Sequence, residues 1–364
     1  MRTLYKLSNF FDIERLIHSI KTTIAALIGL LLSKIIGFSG GQWTVITIIV
    51  VMCAQIYVGS VIQKGYLRFL GTLVGCLFAT IALVTMGNSL SSIAITIGIS
   101  GFLFSYIATT QENLVYAATL GAVTTTIIML GQQPTVLYAG ERFIEISIGI
   151  LIATLVSQFF LPIHARTHLR RIQGKTLAQL RERYIACMVD HHLNDETYNY
   201  EELDEGIVNL LMKQRQLAKE AVREPLGESY DPELFLQSLY AEKEILRCID
   251  FMRNALLHMQ NNDVILTQSD ALKKFNDDTV KALDVIIEAA QAEKYKEMHI
   301  HAPTLVNMKK NLMPYFTSAK PEDWLYINGF LFGAELLIEN LTRLAKLYKI
   351  TIYETSATAP LQLN

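Results

Sequence analysis

The chain has 364 residues, of which 51% are hydrophobic, and its formal net charge at pH 7 is −2. Its mean hydropathy is +0.30, which is too apolar for an ordinary soluble domain of this size. Length and composition therefore exclude a simple water-soluble protein and favour a chain that is partly embedded in a membrane.

The apolar residues lie mainly in the first half of the chain. Between Leu16 and Leu161 only eight residues are charged, whereas from Arg166 onward there are 24 Lys or Arg and 29 Asp or Glu. The first part is suited to lipid and the second to water. We therefore predict a transmembrane domain over residues 1–165 and a cytoplasmic α-helical domain over residues 166–364.

Six apolar runs in the first domain are long enough to cross a bilayer, which requires about 20 residues. Short segments rich in Gly, Asn, Gln and Pro separate them. The predicted spans are 16–36, 43–62, 67–86, 90–107, 113–130 and 141–161. We expect an all-α fold, an integral membrane bundle of six transmembrane helices followed by the helical domain. The alternative, that one or two runs are buried helices of a soluble protein, is disfavoured because six runs follow one another almost without charge.

The positions of Lys and Arg near the span ends predict the orientation. With the N-terminus inside, the inner segments carry Arg2, Lys6, Arg15, Lys64, Arg68 and the basic stretch 166–183. The outer loops then hold only Lys34 and, at a span edge, Arg142. The N-terminal residues show no cleavable signal peptide. We expect a multi-pass protein of the cell (inner) membrane with both termini in the cytoplasm.

Gly71 and Gly75 lie four residues apart in the third predicted span. Small residues at this spacing let two membrane helices approach closely. Similar small residues recur at Gly98 and Gly101, and around Gly121. We interpret this pattern mainly as helix packing inside the bundle, with a dimer contact as the alternative.

Three stretches of the first domain follow one another in a distinctive order. They are GQWTVITIIVV, which contains Trp43, RFLGTLVG over 68–75, and ERFIEISIGILIATLVSQFFLPIHARTHLRR over 141–171. The Arg-x-x-Gly-Thr element at the start of a span and the element that closes the last span resemble the fusaric acid resistance or aromatic acid exporter superfamily. Plant aluminium-activated malate channels belong to the same wider group. The resemblance covers about residues 1–175.

The resemblance implies a transporter that exports small organic anions, in particular aromatic carboxylic acids. The longer exporters carry two membrane halves in one chain, whereas this chain has one, so we expect a homodimer of six-span halves. A passive organic-anion channel of the malate-channel type is an alternative, although the Trp-Glu-Pro tripeptide associated with the plant channels is absent. A membrane scaffold that transports nothing is the third interpretation.

Polar and small residues recur on one face of the first span. They are His18, Lys21, Thr22, Ala25 and Gly29, spaced three or four residues apart. Such a face suits a water-filled path whose cations attract an anionic substrate. For Lys21 the alternative is that its ammonium group extends to the lipid headgroups. His18 is a candidate for coupling transport to protons because imidazole titrates near neutral pH.

The other predicted substrate-binding residues are Lys64, Arg68, Arg142 and Trp43. A guanidinium group binds a carboxylate through a planar fork and stays charged at cellular pH, while Trp43 offers stacking for an aromatic ring. Glu145, three residues after Arg142, is the second candidate for proton coupling. The alternatives are that Arg142 merely pairs with Glu145 and that Trp43 lies at the membrane interface.

After Pro162 the sequence is that of a water-soluble helical domain. Asp231-Pro232-Glu233 predicts a helix start. Two apolar stripes follow, namely Phe235, Leu239, Leu246, Ile249, Met252 and Leu256, and later Leu337, Leu341, Leu344 and Tyr348. Segments 200–222, 269–292 and 303–314 are also predicted helices, and no run predicts a strand. Anionic membrane lipids account for the basic stretch 166–183, whereas nucleic-acid binding is disfavoured because this part is net acidic.

We find no catalytic motif, no metal site and no cofactor-binding loop in the sequence. His191 and His192 lie near Asp190 and Asp195, but their spacing matches no pattern of metal ligands. The four cysteines form no Cys-x-x-Cys pair and are expected to be reduced packing residues. The absence of a phosphate-binding loop argues against a pump driven directly by ATP.

Overall fold

The computed structural model describes residues 13–37, 41–132, 134–189, 199–226, 230–259, 270–292, 297–305 and 321–353. The chain divides into two compact units. The first consists of Met1–Ala165 together with Glu220–Gly227, and the second of Arg166–Lys219 together with Glu228–Asn364.

The first unit is a bundle of α-helices. They are α1 (Ile13–Ile36), α2 (Gln42–Met52), α3 (Val58–Met86), α4 (Leu90–Thr110), α5 (Val115–Met129, after a 3₁₀ turn) and α6 (Val136–Phe159). Four of them, α1, α3, α4 and α6, are long and apolar enough to cross a membrane. The predicted helical fold, with several helices that are long and apolar enough to cross a membrane, is therefore confirmed.

That the chain crosses the membrane six times stays a prediction. Helix α2 has 11 residues and α5 has 15, so at 1.5 Å per residue they rise by about 16 Å and about 22 Å. Both values fall short of the hydrocarbon thickness of about 30 Å.

The prediction of one continuous helix over 43–62 is wrong. Helix α2 ends at Met52, and the next helix begins at Val58. Lys64 and Arg68 therefore lie inside the long helix α3, after its first turn, and not at its start.

Long-range contacts accompany the break between α2 and α3. The segment 53–57 contains neither Gly nor Pro, so its sequence gives no local reason for a helix to end there. The amide of Val58 donates a hydrogen bond to the carbonyl of Ile163 at 3.2 Å. Gly59 packs directly against the backbone of Glu220, which leaves no room for a Cβ atom. The break depends on residues that are far away in sequence.

Helices α3 and α5 pack closely through small residues. A Cβ atom on Gly75 would lie 2.6 Å from the carbonyl oxygen of Gly121, and Gly71 faces the backbone of Ala117. The Thr125 hydroxyl also donates to the Gly75 carbonyl at 3.1 Å. The interpretation of Gly71 and Gly75 as packing residues inside the bundle is confirmed.

The segment Glu220–Gly227 belongs to the first unit, although in sequence it lies beyond the predicted domain boundary at residue 166. The carboxylate of Glu224 accepts a hydrogen bond from the Ala165 amide at 2.6 Å and lies 3.6 Å from Nδ1 of His164. Arg223 donates to the side chain of Gln63. Because Glu224 is buried, these contacts fix the segment against the chain that follows α6.

The second unit is also mainly helical. Its elements are α7 (Ala165–Met188), α8 (Tyr200–Ala221), α9 (Pro232–His258), α10 (Asp270–Gln291) and α11 (Pro321–Leu347), with strands β1 (His299–His301) and β2 (Thr351–Tyr353). The predicted start of α9 is confirmed, since the Asp231 carboxylate accepts a hydrogen bond from the Glu233 amide at 2.9 Å. The apolar stripes of α9 and α11 provide much of the buried core of this unit.

The expectation of no strand is wrong. Strands β1 and β2 form a two-stranded parallel sheet in which Ile300 is opposite Ile352. Each strand has only three residues, too few to produce an alternating pattern in the sequence. The predicted helices over 200–222 and 269–292 are present, whereas residues 303–305 are not helical and the rest of 303–314 lies outside the described residues.

Candidate functional site

Four of the five residues of the predicted face of α1 are buried, namely His18, Lys21, Ala25 and Gly29, and Ser33 is buried with them. Thr22, the fifth, is only half-buried. Lys21 is fully buried, and in the part of the chain that the structure describes its Nζ has no hydrogen-bond partner. The ring of His18 lies beside Lys21 and the backbone at the C-terminal end of α2. Lys21 is thus a buried cation within a helix that can cross a membrane.

Arg68 is buried in the first half of α3, with 5% of its surface exposed. Its Nε and Nη2 atoms donate hydrogen bonds to the hydroxyl of Thr47 in α2, at 3.3 and 3.1 Å. Among the described residues, Arg68 forms no salt bridge with a carboxylate. Within the described residues, the guanidinium therefore donates its hydrogen bonds to a hydroxyl group and not to a carboxylate.

Tyr116 of α5 lies between two cations of α3. The ammonium of Lys64 lies 5.5 Å from the centre of the Tyr116 ring, and the phenol interacts with the guanidinium of Arg68. Lys64 is half-buried, in contrast to Arg68. These three side chains place positive charge where α3 meets α5.

Arg142 and Glu145 form a buried ion pair on α6. Nη1 of Arg142 lies 2.7 Å from Oε2 of Glu145, and the two side chains are 3% and 0% exposed. The Arg142 guanidinium also lies over two aromatic rings, 4.8 Å from the centre of Tyr138 and 5.9 Å from the centre of Trp43. The pairing considered for Arg142 is present, and Trp43 contacts the pair as well.

Helix α2 joins the two arginine sites. The Thr44 hydroxyl donates to the carbonyl of Glu145 at 3.1 Å, while one turn later Thr47 accepts from Arg68. A Cβ atom on Gly149 would lie 2.7 Å from the Thr44 carbonyl, so α2 and α6 are in close contact. Sequence reasoning missed both threonines, although they are the only polar residues of α2 after Trp43 and share one helical face.

The buried charges of the first unit are mostly positive. Among its described residues the buried charged side chains are Lys21, Arg68, Arg142, Glu145 and Glu224, three cations against two carboxylates. Burial of an uncompensated charge is costly, and in a membrane helix it marks a functional site. This excess can be compensated by an anion that enters the bundle.

The described residues contain no cluster of three or more His, Cys, Asp and Glu side chains that fits a metal ion. His191, His192 and their neighbouring aspartates lie outside the described residues. The cysteines within the described part are free thiols. In the second unit, burial raises the pKa of Cys187 and of Cys248 to about 11, so both remain protonated and unreactive at neutral pH.

The fold and the buried cations define an integral membrane protein whose helices enclose positive charge. Residues 15–223 match the model of the fusaric acid resistance protein family, which is more than half of the chain. The chain belongs to this family. The match begins within α1, includes the other five helices of the first unit and ends in the segment after α8 that also belongs to that unit.

The chain is also similar to curated efflux proteins. It is 28% identical over 216 residues to the p-hydroxybenzoic acid efflux pump subunit AaeB of Edwardsiella ictaluri, which covers 52% of this chain and 33% of that protein. The AaeB subunit of Pectobacterium carotovorum is 28% identical over 178 residues, 45% of this chain and 26% of the relative. The chain therefore matches a third or less of the length of these relatives.

Proposed function

We propose that the protein exports small organic anions across the inner membrane, with aromatic carboxylates as the substrate class. The observation that carries the proposal is the buried excess of positive charge, above all Arg68 with hydroxyl partners and no carboxylate partner among the described residues. The names of the related efflux subunits agree with an aromatic carboxylate.

In this mechanism Arg68 binds the carboxylate of the substrate. Its guanidinium has five N–H donors in a planar fork, and the Thr47 hydroxyl accepts from only two of its nitrogens. Lys64 and Lys21 add positive charge, so the anion is attracted without being held by one tight cluster.

The pair of Arg142 and Glu145 is a second proposed element of the mechanism. A carboxylate substrate and Glu145 compete for the same guanidinium, and Trp43 supplies an aromatic surface beside it. Protonation of Glu145 would release Arg142 for the substrate, which couples transport to protons. His18 is the other proposed coupling residue, since it lies next to Lys21.

Transport of radiolabelled p-hydroxybenzoate into inverted membrane vesicles tests the function. We expect uptake that depends on an imposed proton gradient, and Arg68→Gln should reduce it by about tenfold or more, as expected for the loss of a charge-assisted hydrogen bond. The matched control is Lys34→Gln, which removes an exposed cation near the end of α1. Its uptake should equal that of the parent at equal membrane abundance.

The two other functions predict different results. Uptake that does not respond to the proton gradient but still requires Arg68 would indicate a passive anion channel. No uptake of any organic acid from a small panel would indicate a scaffold. Equal uptake by the parent and Arg68→Gln would contradict the proposed anion site.

We further propose six membrane crossings, cytoplasmic termini and a C-terminal helical unit in the cytoplasm. A reporter that is active only in the cytoplasm should be active when fused at residue 200 and silent when inserted near Gln132. The outer position of Gln132 follows from the asymmetry of Lys and Arg along the chain. Activity at Gln132 would overturn the topology.

The proposed homodimer has an available surface on α4. Gly98 and Gly101 are exposed, and a Cβ atom on either would have no neighbour within 4 Å. Small residues of this kind permit close helix contacts in a membrane. Native mass spectrometry from a mild detergent should give the mass of two chains, and Gly98→Leu should shift it toward one. A monomer for the parent chain in the presence of added lipid would contradict the dimer.

A further inference from the structure

The second unit contains a cavity of about 410 Å³. It lies between α7 and α9, beside the end of α10 and the residues that follow α11. Leu169, Leu234 and Phe235 contribute an apolar wall. A cavity of this volume with an apolar wall and a few polar groups is typical of sites for small molecules.

The cavity is lined by more positive than negative charge. Arg166 and Arg170, one turn apart on α7, and Lys349 after α11 are its cationic lining residues, and Asp231 is its acidic lining residue. The Asp231 carboxylate accepts the amide of Glu233 at the start of α9. With three cationic side chains against one carboxylate, the net positive charge of the lining favours an anionic ligand.

Lys349 has a backbone conformation that normally favours glycine. Its φ angle is +59°, and the amide of Ile350 donates to the carbonyl of Ala345 at 2.8 Å. This is the helix-terminating arrangement in which glycine is the usual residue at the left-handed position. We take the retention of this conformation at the cavity as support for a role of the Lys349 side chain.

The floor of the cavity is polar and uncharged. The Ser238 hydroxyl accepts a hydrogen bond from Nε2 of Gln173 at 3.3 Å and lies 3.1 Å from the Tyr348 hydroxyl. Behind it, at 3.3 Å, lies the buried carboxyl group of Glu242. Burial raises the pKa of Glu242 to about 8, so this group is mostly neutral at pH 7. The floor can therefore donate hydrogen bonds without repelling an anion.

We propose that this cavity is a binding site for a small organic carboxylate. Arg170 and Lys349 bind the carboxylate, the apolar wall around Phe235 contacts the body of the molecule, and the hydroxyls of Ser238 and Tyr348 bind a polar substituent. Guanidinium forks match carboxylates, and the apolar wall favours an organic anion over an inorganic one. The site is separate from the buried cations of the first unit and does not require that the protein transports anything.

Equilibrium dialysis of radiolabelled benzoate against the full-length chain in detergent tests the proposal. The measurement is made with Arg68→Gln in every sample, so that the site on α3 does not contribute. Arg170→Gln should weaken benzoate binding by about tenfold or more, the usual effect of losing a charge-assisted hydrogen bond. Arg247→Gln is the control, because Arg247 is an exposed arginine of α9 outside the cavity.

A second variant separates binding from folding. Lys349→Gly suits the left-handed backbone, so its melting temperature should equal or exceed that of the parent, while its benzoate affinity should fall. Two results would overturn the proposal: equal benzoate affinity in the parent, Arg170→Gln and Lys349→Gly, or displacement of benzoate by equimolar inorganic phosphate. Since the assay measures no flux, failure here is distinct from failure of the proposed transport.

Discussion

Glu242 allows a quantitative test of the second unit. Its side chain is fully buried on α9, where Nε2 of Gln214 donates to its Oε2 at 2.6 Å and Ser238 lies 3.3 Å from its Oε1. Burial raises the pKa of Glu242 from 4.5 to about 8, and these hydrogen bonds offset only part of that increase. In the unfolded chain the pKa returns to its ordinary value.

The direction of the pH effect follows from these two pKa values. Well below pH 4.5 the carboxyl group is protonated in both states, so the folded state has no disadvantage. As the pH rises toward 8, the unfolded chain releases its proton and the folded chain keeps it, so the stability contributed by this group is progressively lost. Between pH 5 and pH 7.5 the loss amounts to about 3 kcal/mol.

Glu242→Gln should remove this dependence. The glutamine amide preserves the shape of the side chain, accepts from Gln214 and donates to Ser238, but cannot ionise. The opening free energy of α9, measured by native-state hydrogen exchange of the full-length chain, should fall with pH in the parent and much less in the variant. Glu339→Gln, an exposed carboxylate of α11, serves as the control and should behave like the parent. Parallel pH profiles for the parent and Glu242→Gln would refute the reasoning.

Three further predictions concern the first unit. Gly75→Ala should destabilise the bundle by about 1–3 kcal/mol in thermal unfolding, because the added Cβ meets the Gly121 carbonyl. Gly140→Ala is the control and should not destabilise the bundle, because Gly140 faces open space. Equal melting temperatures for the two variants would argue against close packing. Glu224→Ala should cost about 1–3 kcal/mol, since it leaves a buried amide without its acceptor, and unchanged thermal stability would contradict that role. Arg68→Lys should transport about tenfold less than the parent, because lysine lacks the fork; full flux would leave only a requirement for positive charge.

The helical fold of the membrane region could be predicted from the sequence because long apolar runs depend on local composition. The same is true of the buried face of α1, since a period of 3.6 residues already places His18 and Lys21 together. The start of α9 is another local feature, because the Asp231 side chain caps amides only two and three residues away. Each of these features requires information from one segment alone.

The features that the sequence did not reveal depend on distant residues. The end of α2 at Met52 accompanies contacts of the following residues with Ile163 and Glu220, and no residue of 53–57 breaks a helix by itself. Thr47 has no distinctive sequence context, and it becomes part of the candidate site only because α3 brings Arg68 within hydrogen-bonding distance. Long-range packing decides both.

The short helix α2 contacts both arginine sites. Thr44 and Thr47 lie one turn apart on the same face of its 11 residues, and both pack against Gly149 of α6, while the Thr47 hydroxyl also accepts from Arg68 of α3. An anion bound to Arg68 would compete with the Thr47 hydroxyl for guanidinium N–H groups, whereas the contact of Thr44 with the Glu145 carbonyl would be unaffected. Substrate binding would therefore weaken the contact of α2 with α3 and preserve its contact with α6. In the proposed transporter, this unequal effect gives the substrate a physical means to change the packing of the bundle that contains it.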